Sequence, residues 1–96
     1  MKTINGIIVE WDKDKNDLNV KKHGLKFETA ALVFRDTNRV EFYDSVHSID
    51  EHRYVTIGLV NSLITVIYTE RIRAIRIISA RVATSAERKI YYGKNR

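Results

Sequence analysis

The apolar positions change period along the chain, and the changes mark the elements. Gly6–Trp11 (GIIVEW) is a run of β-branched residues ending in an aromatic and predicts a first strand. Asp12 is placed to cap a helix over Lys13–His23, and Gly24 to end it. That segment carries few apolar residues, so its helicity rests on local signals: Asp17 and Lys21 at i,i+4, and Lys21, Lys22 and His23 in the last turn. Phe27, Ala30, Ala31 and Phe34 then recur at i, i+3, i+4, i+7, the stripe of a second helix. After a turn at Asp36-Thr37-Asn38, strand-like runs follow at Arg39–Tyr43, Arg53–Val60, Leu63–Thr69 and Ile75–Ala80. Asn61-Ser62 predicts a hairpin, and Arg71–Ala74 a second tight connection. Thr84-Ser85-Ala86-Glu87 is a capping box that opens a last helix, with Ala86 and Ile90 on its apolar face and Gly93 placed to end it.

The predicted order is β-α-α-β-β-β-β-α: an α+β domain with a mostly antiparallel sheet and helices packed on one face. At 96 residues and 44% hydrophobic composition the chain supports one modest core and a single domain, 1–96. With no cysteine, disulfides and thiolate metal sites are excluded. No apolar run is long enough to span a bilayer and the N-terminus lacks a signal-peptide pattern, so a cytoplasmic setting is expected.

Charge placement narrows the function. Residues 71–96 carry eight basic groups and one acid, whereas residues 1–70 carry nine basic and eleven acidic groups. All the excess positive charge therefore lies in the last quarter, and six of its eight basic groups are arginine, whose planar fork suits phosphate and carboxylate. Such a stripe fits RNA, and it fits an acidic protein partner equally well.

Several motifs, in order, resemble the BrnT family. Glu10-Trp11-Asp12, Asn19 and Lys22-His23-Gly24 open the pattern. Phe27-Glu28, Ala30-Ala31 and Val33-Phe34 continue it, followed by Asp44, His47-Ser48, Glu51, Arg53 and Ile57-Gly58. Tyr68-Thr69-Glu70-Arg71, Ile75–Arg81, Glu87-Arg88 and Tyr91 close it. The resemblance spans residues 10–92. Two details depart from it: His52 stands where a second glutamate is common, and Ile72-Arg73-Ala74 replaces a more glycine-rich turn. The resemblance implies a RelE-like fold and a ribonuclease toxin of a type II toxin–antitoxin pair. It also implies a BrnA-like antitoxin with a ribbon–helix–helix DNA-binding domain, through which the pair reaches operator DNA, with paired toxins in the complex.

RNA can be cut without a metal, because its 2′-hydroxyl can attack the neighbouring phosphate. The reaction needs a base, an acid for the leaving 5′-oxygen, and cations around the phosphorane. His23, His47, Glu51 and Glu70 are candidate proton carriers. The expected catalytic set is Arg81, Arg76, Arg71, Glu51, Glu70 and His23, with Lys22, Arg53, Arg73, Arg88 and Tyr91 binding RNA. Each has a plainer reading. Arg81 can pair with Glu87, Glu51 with Arg53 and Glu70 with Arg71; Arg76 can be a solvated surface residue, and His23 can serve the helix dipole. Asp44, His47, Asp50, Glu51 and His52 match no zinc spacing, and neither metal nor cofactor is expected. The alternative to catalysis is a basic module that binds RNA or protein passively.

Overall fold

Asn5 and Gly6 take left-handed backbone angles, φ 48° and 80°, and fold the N-terminus into a hairpin absent from the predicted order. An Asn-Gly pair is the residue choice that such a two-residue turn favours, because both positions need positive φ. In this computed structural model, which describes residues 1–96, β1 (Lys2–Ile4) pairs antiparallel with β2 (Ile7–Trp11). Helix α1 (Lys13–His23) follows as expected, with Asp12 accepting from the Lys15 amide and Gly24 closing the end at φ 68°. Its i,i+4 ion pair is Lys13–Asp17 at 2.9 Å rather than Asp17–Lys21.

The second helical stripe divides in two. Helix α2 (Phe27–Ala30) tightens into a 3₁₀ turn over Ala31–Arg35. Val33, which lies off the predicted stripe, is buried there with Ala30, Ala31 and Phe34.

The remaining strands are β3 (Val40–Tyr43), β4 (Arg53–Val60), β5 (Ser62–Arg71) and β6 (Ala74–Val82), an antiparallel meander. Asn61 and Arg73 sit at the two hairpin tips with φ 61° and 68°. Strand β6 then runs parallel to β2, with Val9, Glu10 and Trp11 opposite Ile75, Arg76 and Ile77. The sheet order is β1-β2-β6-β5-β4-β3. The α+β class and the mostly antiparallel sheet are as expected.

The helices do not share one face. Alternation along β5 sends Ile64, Val66 and Tyr68 toward α2 and the 3₁₀ turn, forming the larger core with Phe27, Phe34, Val9 and Ile77. Leu63 points the other way, joining Val55, Ile57, Ala83 and Tyr91 in a second cluster under α3 (Ser85–Lys94). The reason is local: the Ala83 amide bonds the Leu63 carbonyl, and the Thr84–Glu87 capping box starts the helix at once, folding it back over that side. Gly93 does not end α3. The helix continues to Lys94, where Asn95 closes it by donating to the carbonyls of Tyr91 and Asn38. No helix is long and apolar enough to cross a membrane.

Candidate functional site

Arginines collect on the α3 side of the sheet because of strand register. Arg53, Thr69, Arg76 and Glu10 stand in one row across β4, β5, β6 and β2. Farther along, Ile57, Thr65 and Arg81 form another row, and between them lies the apolar pair Val55–Ile67. Val55 and Ile67 floor a cleft of about 450 Å³ with Arg53, Arg81 and Glu87 around them. Phe42, Asp44, Val46 and His47 supply the remaining wall, from β3 and the loop after it.

Arg81 is gripped by Glu87 in a fork, Nη1 to Oε1 at 2.6 Å and Nη2 to Oε2 at 2.9 Å. The Thr84 amide also donates to Glu87 Oε1. Burial alone would push the Glu87 carboxyl up, but Arg81 and the Thr84 amide outweigh it and hold the group down at about 2. The same hydrogen bond raises the Arg81 pKa. Both groups therefore stay charged, and α3 fixes where the guanidinium lies.

His47 is oriented by Asp44, with Nδ1 2.9 Å from Oδ2. That contact favours the proton on Nδ1 and leaves Nε2 as an acceptor. A serine staple sets the loop: the Ser48 hydroxyl donates to the Asp44 carbonyl and accepts from the Arg53 amide. His47 is thereby tied to the strand that carries Arg53. Arg53 Nε is buried and has no hydrogen-bond partner, and the nearest acid, Glu51, is 3.9 Å away. The cleft thus combines an oriented imidazole, a guanidinium fixed by Glu87 and a second guanidinium held only by a loose ion pair to Glu51.

The expected residues divide by place. Arg53 and Arg81 line the cleft, and Glu51 stands at its rim in a smaller hollow shared with His47 and Arg53. Arg76 lies on the same face, but its Nη2 is 2.8 Å from Glu10. Lys22 and His23 line a separate groove beside α1. Arg71 and Arg73 stand at the exposed β5–β6 hairpin, beyond the Arg53 row and away from Arg81. Glu70 alternates onto the opposite face, where hydrogen bonding to Tyr54 raises that tyrosine's pKa. Arg88 is exposed on α3 and stacks on Tyr92. Tyr91 is buried at 3% exposure, its hydroxyl donating to Asp36 at 2.6 Å, so it cannot meet RNA at the surface. Asp44 lies outside the expected site residues, and His47 stands only among the possible proton carriers; a loop Asp-x-x-His-Ser is the signal that could have found them. No three His, Asp or Glu side chains converge into a metal-holding set.

A family model described as "Ribonuclease toxin, BrnT, of type II toxin-antitoxin system" matches residues 11–87. This chain belongs to the BrnT family. The solved ribonuclease toxin BrnT of Brucella abortus is similar in fold, with a TM-score of 0.64 and 26% identity, covering 82% of this chain and 99% of that one. No curated protein sequence matches. Membership makes the chain a ribonuclease toxin of a type II toxin–antitoxin system.

Proposed function

We propose that this chain is a metal-independent endoribonuclease that cuts RNA in the Arg53–Arg81 cleft. The observation that carries the reading is the convergence on one cleft of Arg53, which makes no side-chain hydrogen bond through its Nε, with the Arg81–Glu87 fork and the His47–Asp44 pair. Nε2 of His47 takes the proton of the 2′-hydroxyl, and the freed oxygen attacks the adjacent phosphorus. The P–O5′ bond breaks, and the leaving oxygen takes a proton from water at the open rim. The products are a 2′,3′-cyclic phosphate and a 5′-hydroxyl. Arg53 and Arg81 offset the charge that grows on the phosphorane. Asp44 positions His47, and Glu87 positions Arg81.

The partner that restrains it is a BrnA-like antitoxin with a ribbon–helix–helix domain, with operator DNA reached only through that protein and toxins paired in the complex. The compartment is the cytoplasm.

The test uses protein freed of any partner, with labelled RNA in EDTA, alone and in a translating extract. Cyclic-phosphate ends are expected. Arg53→Ala and His47→Ala should each lower the rate by roughly 100-fold or more while the melting curve is retained. Intact RNA in both settings from a folded protein would sink the catalytic reading and leave the passive binding module.

A further inference from the structure

Beside the cleft lies a second depression, of about 550 Å³, between α1 and the irregular stretch of β6. Its geometry is set by two local features. The Asn19 side chain bonds both the amide and the carbonyl of Ala80, at 3.1 and 2.9 Å, and so fixes α1 alongside β6 beyond the point where β2 ends. On β6, the register steps from Ile77 opposite Tyr68 to Ser79 opposite Ile67. Ile78 is thus an extra residue, and the bulge puts Ile78 and Ser79 in the floor.

Lys15, Leu18 and Lys22 recur at helical spacing along the α1 side of the groove. Leu18 is 64% exposed, on a helix with almost no other apolar residue. Positive charge at Lys21, Lys22 and His23 is accounted for by the helix dipole. That accounts for neither Lys15, near the other end, nor the exposed leucine. No acidic residue lines the groove. An aliphatic floor with a cationic rim suits one unpaired nucleotide, its base over Leu18 and Ile78 and its phosphate on the lysines.

Ser79 of the groove is the register partner of Ile67 in the cleft floor. Paired strands lie about 5 Å apart, so the two depressions adjoin. We propose that the α1–β6 groove is a second subsite for single-stranded RNA, holding a nucleotide that flanks the one cut in the cleft. It rests on the cleft being the cutting site, and it makes the substrate an extended, unpaired strand.

The test compares a dinucleotide with a hexanucleotide RNA, and adds binding of an uncleavable 2′-deoxy hexanucleotide across a salt series. The variant is Lys15→Gln with Leu18→Ser; both side chains are exposed. The native chain should favour the hexanucleotide in kcat/KM, and the variant should lose about tenfold of that preference. Its salt slope for the deoxy strand should fall by about 0.7, the share of one lysine–phosphate contact. Lys15→Arg with Leu18→Phe should keep the preference, which guards against a folding defect. An unchanged preference and slope overturns the subsite. So does loss of antitoxin binding with RNA handling intact, which would make the groove a protein interface. If the native chain cuts neither RNA, yet deoxy binding still depends on Lys15 and Leu18, the cleft reading fails and the subsite stands as a binding site.

Discussion

At Tyr91 one side chain fills apolar space and ties off a carboxylate. Its ring packs with Val55, Ile57 and Leu63, while its hydroxyl reaches Asp36, which also accepts from the Leu59 and Asn38 amides. Burial, and then Asp36, pushes the Tyr91 pKa up to about 12. Tyr91→Phe keeps the packing and removes the donor, so it should cost about 1–3 kcal/mol in urea denaturation. A pH effect follows with a definite sign. The folded state favours the protonated phenol, so this stability is full below pH 10 and lost between 10 and 12; the phenylalanine variant should lack that part of the loss. The sequence showed a tyrosine on a basic helix, which reads as an RNA contact. Which face of a one-turn apolar stripe meets the sheet depends on where β6 delivers the helix. The Arg81–Glu87 pair was readable, because the capping box fixes Glu87 six residues from Arg81.

Helix α3 serves the cleft through its first turn. Glu87 caps the helix and holds Arg81, so protonating one carboxylate loosens both. Its pKa is depressed to about 2 from 4.5, so its stabilisation is complete above pH 4.5 and is lost as pH falls toward 2. Glu87→Gln should flatten the melting-temperature profile over that acid range, and in the neutral range it should lower turnover more than RNA binding. An acid profile identical to the native one would show that the fork does not tie α3 to the sheet. Among the elements, strands and caps were the most readable, since alternation and capping are encoded within a few residues. The β1–β2 hairpin escaped although Asn5-Gly6 announces it, because a three-residue strand carries too little alternation to register. The switch from α to 3₁₀ winding at Ala31 was beyond reach, since no local signal marks it and the turn packs against Gly58 on a distant strand. A Cβ there would stand 2.7 Å from Val33, so that strand's backbone and the turn have closed on each other.

Across the whole molecule, the charge asymmetry in the sequence does not become one basic patch. Arg81 and Arg53 meet in the cleft, Arg71 and Arg73 crown a hairpin away from Arg81, and Arg88 leans on Tyr92. Lysines from the near-neutral first part form the other cationic surface, beside α1. Family and fold class could be read from spaced motifs. The site could be read only in part, because register and face decide which arginines meet, and both are settled by long-range pairing. Glu70 and Thr69 are neighbours in the chain, yet they lie on opposite sides of the sheet.

The parallel pairing of β2 with β6 joins residues as far as 66 positions apart. During synthesis the N-terminal hairpin must therefore wait, its inner edge open, until three quarters of the chain has emerged. The cleft waits longer still, since Arg81 and the Glu87 that holds it come last. A chain ending at Arg73 should remain unfolded by circular dichroism and amide exchange, and unable to cut RNA. If it folds, β6 is not the keystone. On the cleft proposed above, no cutting site exists until Glu87 has left the ribosome, so the machinery that produces the toxin is spared its activity throughout the making of residues 1–87.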